Sequence, residues 1–447
     1  MQLNKFINSK WSFSGSYDSS NLTFHLGLFF NKFFCIRLFV FLKLIFTLIN
    51  FHFTQNSLKK EDFNTYNTNL GKLLTNSLIK LGPSFIKFGQ FLSVRSDFLC
   101  REIINELKTL QDSLPSQPFA DCQEAFRHDF NVEINEIFKS FDPKPFASAS
   151  IAQVHKAYLK DSNSPIAVKI QRPYLPGQFY IDLLLIKNSL IIYDKFIKRI
   201  NLSYFFALLD EFGITAFDEL NFIQEAKNAN EIKQNLKHLN FVKIPKINWS
   251  FTGRHVITME YLESAKISSL RTKKHIDSFI IKTFNCYLQQ FLIYGLFHGD
   301  PHESNIGCSK DLELVIYDFG IVGRIDNETR NLIIKFILAI FNKNIENATQ
   351  IIQNLGIVQD NNSLSLVRKI LNILILAKEQ DSFKHNDINK VFRLIKELDN
   401  KWYIPPKLFL LFKTAYYLSG FLLNLNESIN IEFIIFEVVK ELVPVLN

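Results

Sequence analysis

The sequence predicts an α+β fold in which a small strand region is enclosed by long helical segments. Apolar residues recur at helical spacing after residue 61, short β-branched runs follow residue 146, and helical spacing returns beyond residue 324. With 447 residues, 47% of them hydrophobic, the chain can bury a large core. Its five cysteines lack a CxxC spacing, which favours reduced thiols over disulfides or a zinc site.

Positive charge is concentrated near the N-terminus. Residues 1–60 hold seven Lys and Arg against one acid and so supply six of the net charge of +8. Within this part, the strongly apolar run at 26–51 is interrupted by Lys32, Arg37 and Lys43. A spanning helix needs about 20 apolar residues with few charges. The pattern therefore favours either a basic helix in a membrane interface or a helix packed on the protein, and it does not indicate nucleic-acid binding.

Residues 61–141 have a helical pattern. Leucines recur at three- and four-residue spacing from Leu70 to Leu81, and Gly82-Pro83 breaks the helix. The next helical segment contains Lys87 and Gln90 in the motif KFGQ, on an otherwise apolar face. Such polar groups need partners, unless the lysine extends along the surface to water.

The strand region begins with FASASIAQVHKAYL (146–159), which predicts two strands joined by a turn of small residues. SPIAVKIQRP (164–173) predicts a further strand that carries Lys169. Small residues let backbone N–H groups approach phosphates closely, and a lysine on the next strand can reach the same phosphates. Many β-hairpins share this pattern, so it is a weak signal by itself.

Residues 210–232 predict one acid-rich helix that offers Glu219 or Glu225 as a partner for Lys169. The strand VITMEYLE (256–263) follows it, and its polar end suits a hinge between two lobes.

HGDPHESN (298–305) follows an apolar helix, and YDFG follows a strand. Asp300 can orient a hydroxyl, and Asn305 and Asp318 can bind one magnesium ion. These are the parts that phosphoryl transfer from ATP requires. Beyond Arg324 the pattern is helical to the end, with helices predicted at 332–343, 364–378 and 407–425.

These motifs, in this order, resemble the UbiB family of atypical protein-kinase-like ATPases. The resemblance covers about residues 61–345 and rests on six motifs: KxGQ at 87–90, ASASIAQVH at 147–155, AVK at 167–169, ELN and QEA within 219–226, HGDPHxxN at 298–305 and DFG at 318–320. It implies a bilobal protein-kinase-like fold. The expected parts are a membrane-facing leader, a helical extension, an N-lobe and a helix-rich C-lobe, at 1–60, 61–141, 142–263 and 264–447.

The resemblance also implies roles for the matching residues. Lys169 would contact the nucleotide phosphates and pair with Glu225, Asp300 would take the place of the catalytic aspartate, and Asn305 and Asp318 would hold Mg²⁺. The loop over the phosphates would contain Ala147, Ala149, Ile151, Ala152, Gln153 and Val154.

Lys87 and Gln90 would lie near the γ-phosphate, because the KxGQ helix of this family folds over the site and is linked to ATPase activity rather than to protein phosphorylation. Two departures from the family pattern bear on this expectation. Glu303-Ser304 replaces Pro-Gly and adds a charge near Asn305. Asn221 stands where an aspartate is usual, which puts the coupling to the KxGQ helix in doubt.

The resemblance implies a Mg²⁺-dependent ATPase that supports ubiquinone biosynthesis at the cytoplasmic side of a bacterial inner membrane or its organelle equivalent. Membrane lipids, quinone-precursor phenols and other ubiquinone-biosynthesis proteins are its expected partners. Two alternatives are a small-molecule or lipid kinase and a nucleotide-sensing, lipid-binding scaffold. An occluding KxGQ helix argues against the first, because small-molecule kinases keep an open substrate pocket.

Overall fold

The computed structural model describes residues 6–11, 17, 22, 24–55, 62–93, 95, 99–110, 115–197, 202–267, 270, 272–302, 304–358, 360–379, 394 and 405–425. The chain forms two compact units. The first comprises Met1–Lys227 and Lys246–Tyr261, and the second Asn228–Pro245 and Leu262–Asn447. The predicted α+β class is confirmed. The finer division into four parts stays a prediction.

In the described residues between 32 and 137, the first unit forms six helices: α1 (Lys32–Thr54), α2 (Phe63–Leu81), α3 (Pro83–Leu92), α4 (Arg101–Leu107), α5 (Phe119–Phe130) and the single turn α6 (Ile134–Ile137). The break between α2 and α3 falls at Gly82-Pro83, as predicted. Gly82 adopts a φ of +93°, which a residue without Cβ reaches at little cost, and its amide closes α2 on Leu78 and Ile79. Pro83 then begins α3 at a position that requires no N–H donor.

An antiparallel sheet forms the centre of the first unit. Its strands are β1 (Phe138–Phe141), β2 (Ala147–Ser148), β3 (Ala152–Leu159), β4 (Pro165–Gln171) and β6 (Val256–Glu260); β5 (Val242–Lys243) belongs to the second unit. The order is β1-β3-β4-β6, and β2 folds back on β3. One face packs against α5 around buried Phe126, Phe138, Val168 and Val256. Trp11, far upstream in the chain, belongs to the same cluster.

Three further helices follow β4: α7 (Leu175–Ile197), α8 (Leu202–Glu219) and α9 (Phe222–Asn235). The prediction of one helix over residues 210–232 is therefore wrong. The chain leaves helical geometry at Asn221, whose side-chain oxygen accepts a hydrogen bond from the amide of Gln224 at 3.1 Å and caps α9.

The second unit combines two small sheets with helices. Strands β5 (Val242–Lys243), β8 (Ile306–Cys308) and β9 (Leu314–Ile316) form one sheet, and β7 (Leu296–His298) pairs with β10 (Val322–Arg324) in the other. The helices are α10 (Lys273–Gln289), α11 (Asn327–Phe341), α12 (Ile345–Asn354), α13 (Asn361–Glu379) and α14 (Pro406–Leu425). A π-helical turn, Gln290–Tyr294, joins α10 to β7.

The apolar segment near the N-terminus forms α1, preceded by a 3-10 turn at Leu26–Phe30. In the part of the chain that the structure describes, α1 is the one helix long and apolar enough to cross a membrane, with a mean hydropathy of 2.0. This criterion alone is weak evidence, because core helices and signal sequences also meet it. Only 11% of its most apolar stretch is buried, so α1 is not a core helix of the first unit.

Candidate functional site

Lys169 and Glu225 form a buried ion pair in the first unit. The lysine Nζ lies 2.7 Å from the glutamate Oε1, and the two side chains are 7% and 5% exposed. Lys169 is fixed because β4 pairs with β3 on one side and β6 on the other. Glu225 lies in the first turn of α9, whose start Asn221 fixes. The structure thus selects Glu225 over Glu219 as the partner of Lys169.

The KFGQ motif lies in α3, and each of its polar side chains has a partner. Lys87 pairs with Glu219 of α8, with its Nζ 2.6 Å from Oε2. The amide nitrogen of Gln90 donates to the carbonyl of Leu110 at 3.0 Å. A Cβ at Gly89 would meet the side chains of Leu110 and Leu78, so this glycine allows close helix packing. Lys87 is therefore held inside the unit and does not extend along the surface to water.

The small-residue loop is a short connection between β2 and β3. Ala147 pairs with Val154 across the two strands, and the amide of Ala149 donates to the carbonyl of Ala152 at 2.8 Å. Arg172, at the end of β4, donates to the carbonyl of Ala149 at 2.9 Å and to the hydroxyl of Ser148 at 2.8 Å. This arginine was not predicted as a site residue, although it directly follows the strand that carries Lys169.

Gln153 faces the interior of the first unit. Its Oε1 accepts a hydrogen bond from the amide of Gln117 at 2.9 Å, and its Nε2 donates to Nε2 of His155 at 2.8 Å. His155 in turn donates from Nδ1 to the carbonyl of Asp142, and burial lowers the pKa of this histidine. Ile151 and Ala152 are also buried. The side chains of Gln153, Ile151 and Ala152 therefore pack inside the first unit.

In the second unit, His298 joins the HGDPHESN and DFG segments. The hydroxyl of Tyr287 donates to Nδ1 of His298 at 2.9 Å, and Nε2 of His298 donates to the carbonyl of Asp318 at 2.7 Å. The ring is fully buried, and this burial lowers the pKa of His298, so the neutral form is favoured. A neutral histidine therefore fixes the main chain at Asp318.

Asp300 and Asn305 lie together around His302. Nε2 of His302 is 3.1 Å from the carboxylate of Asp300, and Asn305 donates from Nδ2 to the carbonyl of Asp300 at 3.2 Å. The Nδ1 of His302 accepts from the amide of Ser304 at 3.2 Å, and its Nε2 lies 3.0 Å from the side-chain nitrogen of Asn305 as well as close to Asp300. His302 was not predicted as a site residue. Glu303, which departs from the family pattern, lies outside the described residues.

Asp318 has an uncommon backbone geometry. Its φ of +51° is in the left-handed region, which non-glycine residues enter rarely. The pairing of β8 with β9 brings Asn305 beside Tyr317, whose amide donates to the Asn305 carbonyl at 2.8 Å, and Asp318 is the next residue.

Asn305 and Asp318 fit a hard divalent cation. Because Asn305 uses its amide nitrogen on Asp300, its Oδ1 is the atom that can serve as a ligand. Asp318 is exposed and offers a carboxylate, one oxygen of which also accepts from the amide of Gly320 at 3.0 Å. An amide oxygen and a carboxylate are donors that Mg²⁺ prefers. The roles predicted for these residues, and for Asp300, stay predictions.

Comparisons with known proteins place the chain in a family. The sequence profile described as the ABC1 atypical kinase-like domain matches residues 109–352. Activity of bc1 complex kinase 7, a chloroplastic protein of Arabidopsis thaliana, is 32% identical over 308 residues, which cover 66% of this chain and 43% of that protein. Activity of bc1 complex kinase 3 of the same plant is 35% identical over 271 residues, 60% of this chain and 38% of that protein.

An uncharacterized Synechocystis protein is 30% identical over 373 residues, 80% of this chain and 65% of that protein. The chain thus spans less than two thirds of the length of each of these three relatives. Among solved structures, that of Rv3197 from Mycobacterium tuberculosis in complex with erythromycin matches with a TM-score of 0.54 and 19% identity, covering 83% of this chain and 94% of Rv3197. At this identity, the likeness shows the fold alone.

Proposed function

Because the chain belongs to the ABC1 atypical kinase-like family, which is the UbiB family, we propose that it is an ATP-binding, Mg²⁺-dependent ATPase that supports ubiquinone biosynthesis at a membrane. The bilobal kinase-like fold predicted for the chain is the fold of this family. The observation that carries the ATP proposal is the buried Lys169–Glu225 pair, together with the oxygen ligands of Asn305 and Asp318.

Each of these residues has a defined task in this proposal. Lys169, held by Glu225, binds phosphate oxygens. Asn305 and Asp318 hold the metal, which when bound neutralises charge on the phosphates. Asp300 orients the attacking water, and His302 positions the Asp300 carboxylate through the 3.1 Å contact.

Water is the proposed acceptor of the phosphoryl group. The KxGQ helix of this family folds over the γ-phosphate, and in this chain Lys87 and Gln90 are both held by contacts within the first unit. A helix fixed in this way disfavours entry of a protein substrate.

The membrane and quinone parts of the proposal rest on other support. The resemblance to the UbiB family implies ubiquinone biosynthesis, and the Arabidopsis relatives are named for the activity of the bc1 complex. The apolar helix α1 supports a membrane location, for which the cytoplasmic side of a bacterial inner membrane or an organelle equivalent is proposed. Lipids, quinone-precursor phenols and other enzymes of the same biosynthesis are the proposed partners.

The catalytic proposal is tested with Asp318→Asn. We expect Mg²⁺-dependent ATP hydrolysis to fall by about 10²–10³-fold, because a ligand that carries negative charge at the metal is neutralised. Asp311→Asn is the matched control, since Asp311 is exposed in the turn before β9. Equal hydrolysis by the wild type and the Asp318→Asn protein would show that the assigned metal ligand is wrong.

The acceptor and the pathway need separate experiments. Transfer of labelled phosphate from ATP to lipid head groups or quinone-precursor phenols would indicate a kinase instead of an ATPase. A deletion strain can be complemented with variants of the protein. If a variant that binds ATP without hydrolysing it restores the strain and Lys169→Ala does not, the protein is a nucleotide-sensing scaffold. Normal ubiquinone levels in a deletion strain would remove the link to ubiquinone biosynthesis.

A further inference from the structure

The outer face of α1 carries a row of exposed aromatic side chains. Phe39, Phe46 and Phe53 are spaced by seven residues, so they lie on one face of the helix. They are 72%, 71% and 75% exposed. Ile36, Leu42 and Ile49 are also about half exposed. Water-exposed apolar area of this extent along one helix marks an interaction surface.

The opposite face of α1 is bound to the first unit along its length. Phe34 and Phe41 are buried, and the ring of Phe41 stacks on Phe85 with centroids 5.9 Å apart. Near the other end of α1, the Phe51 ring lies 5.4 Å from that of Tyr66. The helix therefore docks through one face from its first to its last turns.

Arg37 provides the strongest of these attachments. Its guanidinium binds the carboxylate of Asp182 through two nitrogens, with Nε 2.9 Å from Oδ1, and it also donates to the carbonyl of Leu81 at 2.7 Å. Asp182 is 3% exposed. If α1 crossed a bilayer, Arg37 would have to leave Asp182, and breaking such a pair leaves a buried charge uncompensated.

A basic edge borders the aromatic row. Lys32 and Lys43 are eleven residues apart, about three helical turns, so they project from the same side of α1, and both are exposed. Basic residues beside a lipid-facing apolar row are typical of helices that lie in the surface of an anionic bilayer.

We propose that α1 lies flat in the surface of an anionic bilayer, with Phe39, Phe46 and Phe53 in the lipid, and that the Arg37–Asp182 pair keeps it on the protein so that it does not span. The proposal rests on the membrane location in the proposed function, but not on ATP hydrolysis. The length of α1, 23 residues or about 34 Å, is then the length of the contact with lipid.

Vesicle flotation tests the lipid contact. The triple variant F39S/F46S/F53S should lose at least about a hundredfold in partitioning to phosphatidylcholine vesicles that contain phosphatidylglycerol. The matched control is I192S/I214S/Y416S, whose target side chains are similarly exposed outside α1, and it should bind as the wild type does. Replacing Lys32 or Lys43 by Gln should cost about fivefold each, on anionic vesicles only. If F39S/F46S/F53S binds vesicles as the wild type does, the proposal is overturned. It is also overturned if the wild-type protein dimerises through the aromatic face of α1 and does not bind vesicles.

Cysteine labelling distinguishes a flat helix from a spanning one. In a Cys35→Ser, Cys100→Ser background, in which the three remaining cysteines are buried, Lys32→Cys or Gln55→Cys places one accessible thiol at the first residue of α1 or just past its end. With protein bound to vesicles from outside, both thiols should react with a membrane-impermeant maleimide. Protection of one thiol would show a spanning helix and overturn the proposal.

The result is separable from the ATPase test. Asp318→Asn should bind vesicles as the wild type does, and F39S/F46S/F53S should hydrolyse ATP normally in detergent. Failure of vesicle binding with normal hydrolysis refutes only the membrane surface. Normal vesicle binding with hydrolysis insensitive to Asp318→Asn refutes only the catalytic proposal.

Discussion

The two units hold their predicted site residues in different ways. In the first, Lys169 and Lys87 are each neutralised by a glutamate of the same unit. In the second, Asp318 is positioned through its main chain, by a bond from the neutral His298 to its carbonyl, while its carboxylate is exposed. The charged site residues of the first unit therefore cannot lose their partners without loss of stability, whereas the exposed carboxylate of Asp318 can change without loss of fold.

The sharpest test of this contrast is Glu225→Gln. It leaves the charge of Lys169 buried without its counter-ion, which costs about 3–5 kcal/mol in free energy of unfolding. Hydrogen exchange should show the loss of protection in the first unit. Asp318→Asn, whose side chain is exposed, should change the free energy of unfolding by no more than about 0.5 kcal/mol.

A double variant separates stability from function. Lys169→Met with Glu225→Leu replaces the pair by apolar groups of similar size, so most of the lost stability should return while ATP hydrolysis does not. If Glu225→Gln and Asp318→Asn destabilise the protein equally, the contrast between the two units is wrong.

The buried histidine of the second unit predicts a pH dependence. Burial lowers the folded-state pKa of His298, so the unfolded state binds the proton more tightly. Stability is therefore full above the unfolded pKa of about 6.5 and falls as the pH drops below it, by up to about 1.4 kcal/mol per pH unit.

Denaturant unfolding at several pH values below neutrality measures this slope. His298→Asn should be less stable near neutral pH but should lose the part of the slope that belongs to the second unit. His155 of the first unit, whose pKa is also lowered by burial, supplies the part that remains. If the free energy of unfolding of His298→Asn depends on pH as steeply as that of the wild type, groups other than His298 cause the whole pH dependence.

Much of the fold was predictable because its signals are local. The break at Gly82-Pro83 and the strand that carries Lys169 each depend on neighbouring residues alone. The break at Asn221 was missed because an asparagine between two helical patterns can be either an N-cap or an exposed residue inside one helix. The sequence pattern is the same in both cases.

The site was predictable as a set of residue types but not as contacts. The motifs contain Lys169, Asp300, Asn305 and Asp318, yet spacing could not choose between Glu219 and Glu225. Gln153 points inward because it bonds to Gln117, and Arg172 bonds to the carbonyl of Ala149 in the loop. Each of these partners lies more than twenty positions away along the chain. Such contacts exist only in the tertiary structure.

A smaller effect is expected at Gly89, where the first unit is closely packed. In Gly89→Ala, the new methyl group would lie 2.7 Å from Cδ1 of Leu78, an overpacking that costs about 1–3 kcal/mol. The higher helix propensity of alanine returns about 1 kcal/mol, so thermal unfolding should show a net loss of about 1 kcal/mol. The new methyl group would also overlap Cδ1 of Leu110, so adding Leu110→Ala should reduce the cost of the Gly89→Ala step, and an equal loss in both backgrounds would contradict this packing.

The smallest expected change is in Asn221→Asp, which restores the residue usual in the family. Asn and Asp cap helices about equally well, and a carboxylate at the start of α9 gains a few tenths of a kcal/mol from the helix dipole. The free energy of unfolding should therefore change by less than about 0.5 kcal/mol, and Asn221→Ala, which removes the cap, should cost about 1 kcal/mol.

ATP hydrolysis provides the second measurement. Because Lys87 pairs with Glu219, hydrolysis should be the same with Asn or Asp at position 221. A change in hydrolysis without a change in stability would show that residue 221 acts on the KxGQ helix and not only as the cap of α9.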